Sequence, residues 1–127
     1  IGLTPQFIHQ LGGYKVQGKT EDSAARLLQE VTALEKAGCF SIVLECVPEA
    51  VAEKITKKLS ISTIGIGAGV ATDGQVLVFQ DLLGLNTAFK PKFVKHFLNG
   101  AVLFGQAIEE YVAAVRKGEF PGHEHRY

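Results

Sequence analysis

The chain has 127 residues, of which 46% are hydrophobic and 20% charged, and its 13 basic residues balance 13 acidic ones. These values are typical of a single globular domain and exclude a disordered chain. Zero net charge argues against a nucleic-acid partner, because such proteins carry a clustered basic excess. No run approaches the roughly 18 apolar residues of a membrane span, so no membrane partner is expected.

The sequence starts at Ile1 and contains no Met. An intact translation product begins with Met, so we expect a piece cut from a longer chain. No charged-then-apolar leader is visible, and Cys39 and Cys46 fit neither a metal-ligand pattern nor a disulfide scaffold. A reducing, cytoplasmic location is the expectation. A mitochondrial location stays open for a eukaryotic source, since a targeting segment would be lost with the missing part.

The first elements are a loop and a helix. Residues 1–19 are rich in glycine and predict a loop, with one helical turn around residues 6–11 that starts at Pro5. Residues 20–37 predict a helix, because Thr20 suits its N-cap and Gly38 the position after its end. Its apolar stripe consists of Ala24, Leu27, Leu28, Val31 and Leu34.

Short apolar runs alternate with helical patterns further along. Residues 40–47 predict a strand covered on both faces, Pro48 opens a second helix, and residues 61–67 predict a second strand that ends in glycines. Residues 75–80 predict a third strand, with a short helix as the alternative. We also expect a helix that begins at Pro91 with Phe93, Val94, Phe97 and Leu98 on one face, a last helix from Gly100 to Gly118, and an irregular tail.

This order predicts an α/β fold with a parallel sheet. A (β/α)₈ barrel needs about 250 residues. The chain would therefore supply about half of one, as a single partial domain over residues 1–127.

Glu45 is the most informative residue of the sequence. It lies near the C-terminal end of an apolar strand, where α/β enzymes place their sites and where an unpaired carboxylate is costly to bury. The pattern favours a catalytic or ligand-binding carboxylate. The alternative is a structural Glu paired with a cation on a neighbouring strand.

Two glycine-rich segments resemble nucleotide-binding motifs. Residues 13–20 match the pattern G-x-x-x-x-G-K-[ST], yet no convincing strand precedes them, and Tyr14 and Val16 are bulky for a phosphate cradle. A loop that leads into a capped helix is the favoured interpretation. Residues 65–69 follow a strand but do not complete G-x-G-x-x-G. Close backbone approach at the mouth of a site and a purely structural turn remain equal alternatives.

The remaining polar candidates are two aspartates and the histidines. Asp73 and Asp81 lie near the ends of the third predicted strand, where each could enter a site or cap a turn, and capping is the commoner role. His123 and His125 are two apart in a polar tail, where solvent exposure is expected.

Several motifs together resemble one enzyme family. They are residues 1–6 (IGLTPQ), 12–18 (GGYKVQG), 43–48 (VLECVP), 63–69 (TIGIGAG), 73–78 (DGQVLV) and 91–93 (PKF). In this order they closely resemble the ketopantoate hydroxymethyltransferases of the pantothenate pathway. The resemblance spans essentially the whole chain, and it places residues 13–20 in a loop with no known role in nucleotide hydrolysis.

The resemblance implies the C-terminal half of a (β/α)₈ barrel. Glu45 would be the general base, and Ile66, Val76 and Val78 would line the apolar part of the pocket. The reaction would transfer a one-carbon unit from 5,10-methylenetetrahydrofolate to the keto acid 3-methyl-2-oxobutanoate and give 2-dehydropantoate, with Mg²⁺ as cofactor. The family's metal ligands lie on the first strands, so no metal ligand is assigned to this chain.

The family also implies a homo-oligomer, usually a decamer. Two hypotheses stay open for this chain. It is either the catalytic half of such a transferase, active only with its N-terminal half, or an inactive fragment that persists at most as an interaction module.

Overall fold

The computed structural model describes residues 1–4, 6, 9 and 13–127. It contains two compact units, Ile1–Leu77 and Val78–Tyr127. The helical turn expected at residues 6–11 falls on a segment of which only Gln6 and His9 are described. The expectation of one partial domain over residues 1–127 stays a prediction.

Helix α1 (Glu21–Lys36) confirms the first predicted helix. Its N-terminus is a capping box, in which Thr20 Oγ1 accepts a hydrogen bond from the Ser23 N–H at 3.2 Å and Ser23 Oγ accepts one from the Thr20 N–H at 3.0 Å. The chain leaves α1 through Gly38, whose φ of +94° lies in the left-handed region that glycine adopts without strain.

The first unit is built on a parallel sheet of three strands in the order β1-β2-β3. Strands β1 (Ser41–Glu45) and β2 (Ser62–Ile66) confirm the first two predicted strands, and helix α2 (Glu49–Lys58) confirms the helix expected after Pro48. Strand β3 (Gly74–Gln75) has two residues. Each strand lies beside the one that precedes it in the sequence.

Only one face of this sheet packs against α1 and α2. Ile42 and Leu44 are buried there, and burying a leucine contributes about 2 kcal/mol. The core consists of Leu27, Val31, Ile42, Leu44, Val47, Ala52, Ile55 and Ala68. Because side chains alternate along a strand, Val43 and Glu45 point to the opposite face, where Val43 is 42% exposed. The prediction that β1 is covered on both faces is wrong for the residues that the structure describes.

The third strand is shorter than predicted. Strand β3 ends at Gln75, and helix α3 (Phe79–Leu82) occupies the end of the range assigned to the strand, so the helical alternative is confirmed there. The register pairs Gly65 with Gln75, and β2 ends one residue later, at Ile66. Residues 77 and 78 therefore extend beyond β2 and have no β2 residue to pair with, although their side chains favour a strand.

The second unit contains α3 and the long helix α4 (Gly100–Lys117). Helix α4 confirms the last predicted helix, and it ends at Gly118 with a φ of +72°. The helix expected from Pro91 is wrong, since the structure has turns there. The Phe97 N–H donates to the Leu82 carbonyl at 2.8 Å rather than to a carbonyl four residues earlier, so a helix cannot propagate.

The tail folds back on the end of α4. The Tyr111 and Phe120 rings meet edge to face with centroids 5.6 Å apart, and His123–His125 form one 3₁₀ turn. Across residues 1–4, 6, 9 and 13–127, no helix combines the length and the apolar character that crossing a bilayer requires.

Candidate active site at the carboxyl edge of the sheet

Three of the residues predicted from the sequence lie in one row at the C-terminal edge of the sheet. Glu45 is the last residue of β1 and pairs in register with Ile66, the last residue of β2. Val76 comes level with Ile66, one residue beyond the pair formed by Gly65 and Gln75. Since Leu44 and Gly65 face the helices, strand alternation places Glu45, Ile66 and Val76 together on the opposite face.

The backbone of Glu45 is fixed on both sides. Its N–H donates to the Ile1 carbonyl at 3.0 Å, and its carbonyl accepts from the Leu3 N–H at 2.9 Å. Gly2 bridges to Glu45 in the parallel sense, and its φ of +91° and its contact with the Glu45 carbonyl leave no room for a side chain. This segment extends the parallel pairing beyond β1, so Glu45 lies inside a paired region rather than at a free edge.

The Glu45 side chain is half-buried. Among the described residues, the carboxylates that contact a basic side chain are Glu53, beside Lys57, and Glu124, beside the His125 ring, and neither contact involves Glu45. This weighs against the alternative of a structural Glu paired with a neighbouring cation within this part of the chain. A partly buried carboxylate at such an edge is well placed to accept a proton from a ligand.

Cys46, directly after Glu45, has a left-handed backbone with a φ of +50°. A non-glycine residue in this conformation is uncommon, and such residues cluster at functional sites. The turn directs Val47 into the core, where it is 2% exposed. Burial, and to a smaller extent the negative charge of Glu45, raise the pKa of the Cys46 thiol, so it stays protonated at neutral pH.

The glycine-rich residues that follow β2 pack against protein. Gly69 has a φ of +78°, and a Cβ there would collide with the Glu49 side chain, while a Cβ at Gly65 would lie 2.7 Å from Thr72 Oγ1. The Gln75 amide donates to the Gly69 carbonyl and to Thr72 Oγ1, both at 2.8 Å. These contacts favour the structural alternative for the glycines, in a loop that nonetheless begins directly after Ile66.

Asp73 bonds to Thr63 of the neighbouring strand β2. Its Oδ2 accepts from the Thr63 N–H at 2.7 Å and from the Thr63 hydroxyl at 3.0 Å. These hydrogen bonds hold the pKa of Asp73 below its ordinary value. Thr63 is fully buried, and its hydroxyl also lies 2.8 Å from that of Thr56. Sequence reasoning missed Thr63, because a threonine in a strand is ordinary and its partner lies ten residues away.

The other candidates lie in the second unit. Val78 precedes α3 and is 49% exposed, so the strand alternation that linked it to Val76 does not reach it, and its place in a pocket stays a prediction. Asp81 lies in the first turn of α3, and its role stays open. His123 and His125 are exposed as predicted.

The segment that matches a phosphate-binding loop packs against the helices at Gly18, whereas Tyr14 and Val16 are exposed. Gly18 is buried at a φ of +80°, and a Cβ there would lie 2.7 Å from Leu27 Cδ1. The Thr20 hydroxyl caps α1. The Gln17 N–H donates to the Cys46 carbonyl at 2.9 Å, which fixes the loop beside the end of β1. These contacts agree with a loop that leads into a capped helix.

The fold and the site define an α/β protein with a carboxylate at the C-terminal edge of a parallel sheet, where enzymes of this class bind their ligands. The model of the ketopantoate hydroxymethyltransferase family matches residues 1–123, and the chain belongs to this family.

Curated relatives carry the name 3-methyl-2-oxobutanoate hydroxymethyltransferase. The protein of Francisella tularensis subsp. tularensis (strain FSC 198) is 58% identical over all 127 residues, which are 48% of its own length. The proteins of Legionella pneumophila strains Corby and Lens are 58% and 57% identical with the same coverage. The chain thus spans about half the length of the curated relatives it matches.

Proposed function

We propose that this chain is the C-terminal half of an enzyme that transfers a hydroxymethyl group to 3-methyl-2-oxobutanoate and forms 2-dehydropantoate. The observation that carries the proposal is the position of Glu45, at the C-terminal edge of a parallel sheet and on the face that α1 and α2 leave uncovered. The family membership and the names of the relatives support the reaction.

The strand order supports half of a (β/α)₈ barrel. In such a barrel each strand lies beside the preceding one and the helices form one outer layer, whereas a doubly wound sheet reverses its strand order and carries helices on both faces. The sheet has the order β1-β2-β3, and its packed helices lie on one face. Under this proposal the face with Glu45, Ile66 and Val76 is the inner face of the barrel.

Glu45 would act as the general base. The C3–H bond of the keto acid breaks, the proton moves to a carboxylate oxygen of Glu45, and the electron pair forms the enolate. The enolate carbon then bonds to the methylene carbon carried by the folate. The methylene carbon loses its bond to one folate nitrogen as the iminium form opens, before the enolate adds, and its bond to the second nitrogen breaks afterwards as water supplies the hydroxyl oxygen of the product. The two nitrogens of the released tetrahydrofolate take up the proton held by Glu45 and one proton of that water. Ile66 and Val76 would contact the two methyl groups of the keto acid and exclude water from the enolate.

Among residues 1–4, 6, 9 and 13–127, no group of three His, Cys, Asp or Glu side chains could hold a metal ion. The described residues therefore do not fit a Mg²⁺ site. The Mg²⁺ that the family resemblance implies would be held by residues outside this chain.

The folate carrier and the homo-oligomer are parts of the same proposal and rest on the family resemblance, while the proposed cytoplasmic location rests on the cysteine usage of the sequence. The alternative is an inactive fragment. The presence of the metal-binding strands in the coding sequence upstream of Ile1 would distinguish the two.

The test is carbon transfer by the complete protein that contains this chain. We expect 2-dehydropantoate from the keto acid and 5,10-methylenetetrahydrofolate, with kcat about 10²–10⁴-fold lower for Glu45→Gln. Glu53→Gln is the matched control, because Glu53 is an exposed carboxylate of α2 that pairs with Lys57. Absence of product with the unaltered protein, or equal losses in both variants, would refute the proposal.

A further inference from the structure

The connection between β2 and β3 is unusually short. Parallel strands are normally joined by a crossover of a dozen or more residues, most often a helix. Here residues 67–73 alone join two adjacent parallel strands, and none of them is helical. Strand β3 contributes only two register pairs, Ile64 with Gly74 and Gly65 with Gln75. So short a ladder specifies its register weakly, and a slip of one residue would turn Val76 to the other face.

Asp73 adds hydrogen bonds between β2 and β3 beyond the two register pairs. Its carboxylate accepts both the backbone N–H and the hydroxyl of Thr63, while its own N–H donates to Thr63 Oγ1 at 3.3 Å. The side chain thereby forms one more connection between β2 and β3, directly before the first register pair. Charge-assisted hydrogen bonds of this kind are about twice as strong as neutral ones. The Thr63 side chain is fully buried, and its other side-chain hydrogen-bond partner is the Thr56 hydroxyl at 2.8 Å, on α2 rather than on β3.

We propose that Asp73 is a positioning residue for the substrate pocket. Through Thr63 it fixes the register of β3 on β2, and this register holds Val76 level with Ile66 on the face that carries Glu45. Asp73 itself touches no reacting atom. The inference rests on the proposed function, because it assumes that Val76, which follows β3, helps to recognise the branched carbon chain of the keto acid.

The test compares two keto acids in the complete protein. The quantity is the ratio of kcat/KM for C3 proton exchange with deuterated solvent, measured for 3-methyl-2-oxobutanoate and for 2-oxobutanoate, which lacks one methyl group. A loss of folded protein lowers both values equally and leaves the ratio unchanged. A displaced Val76 lowers the ratio, because one methyl group in an apolar pocket is worth about 10-fold or more in discrimination.

We expect Asp73→Ala and Thr63→Val to lower the ratio about fivefold or more, because Asp73→Ala removes both hydrogen bonds to Thr63 and Thr63→Val removes the one from its hydroxyl. Combining them should add little to the loss in Asp73→Ala, since the hydroxyl has then already lost this acceptor. Thr63→Ser keeps the hydroxyl and should retain the ratio. Glu53→Gln, on the solvent side of α2, should leave it unchanged. If Asp73→Ala fails to fold, the comparison of the exchange ratio in Thr63→Val with that in Thr63→Ser is sufficient to test the role.

An unchanged ratio in Thr63→Val would overturn the positioning role, whatever happens to stability. This failure is distinct from failure of the proposed function, which would appear as absence of exchange in the unaltered protein.

Discussion

Gly18 should be required for packing of the first unit rather than for binding a phosphate. In Gly18→Ala the new Cβ would keep a left-handed backbone at a φ of +80° and lie 2.7 Å from Leu27 Cδ1. The backbone costs about 1–2 kcal/mol, and overpacking costs about 1–3 kcal/mol. The substitution should therefore lower the free energy of opening of α1 by about 2–5 kcal/mol.

Gly13→Ala is the matched control, because Gly13 has a φ of +100° in the same loop and a Cβ there would meet nothing within 4 Å. Gly13→Ala should therefore lower the free energy of opening only by the cost of a left-handed backbone, about 1–2 kcal/mol. Hydrogen exchange of the α1 amides around Leu27, followed by mass spectrometry of the complete protein, measures both. The α1 amides should exchange about 5- to 150-fold faster in Gly18→Ala than in Gly13→Ala. Equal rates in the two variants would refute the packing argument.

Three further outcomes follow from the contacts. ATP and GTP should not bind, and Lys19→Ala should leave the proposed transfer almost unchanged; micromolar nucleotide binding that Lys19→Ala abolishes would contradict this interpretation. The 127-residue chain alone should self-associate in size-exclusion chromatography, since the proposed half-barrel would leave strand edges unpaired; a monomer that unfolds cooperatively would contradict this expectation. Hydrogen bonds from Ser60 lower the pKa of Glu35 in the folded protein. Their contribution to stability should be complete above the ordinary pKa of 4.5 and lost as pH falls through the lower folded-state pKa. Glu35→Gln should thus destabilise the protein at pH 7 but not in strong acid, as urea titrations at the two pH values would show.

The elements predicted best from the sequence are those whose signals are local. Helix α1 needs only its apolar stripe and the cap at Thr20, and α4 ends at Gly118 because glycine adopts the left-handed conformation there. Strand β1 is a short apolar run, and the single carboxylate within it is enough to predict the candidate site.

The errors come from contacts between distant residues. Residues 75–80 favour a strand by composition, but β2 ends at Ile66, so the residues after Val76 have no β2 residue to pair with. The helix expected from Pro91 fails because the Phe97 N–H is taken by the Leu82 carbonyl. The role of Asp73 also depends on a partner ten residues earlier, and no local pattern reveals such a pair.

Exchange of the C3 proton of 3-methyl-2-oxobutanoate with deuterated solvent, followed by NMR without folate, tests the role of Glu45 most directly. It isolates removal of the proton from carbon transfer, and it is measured on the complete protein beside Glu45→Gln. The account predicts that exchange falls about 10²–10⁴-fold while binding of the keto acid persists. Exchange at a near-unaltered rate in Glu45→Gln would contradict it, and Glu45 would then be a structural carboxylate.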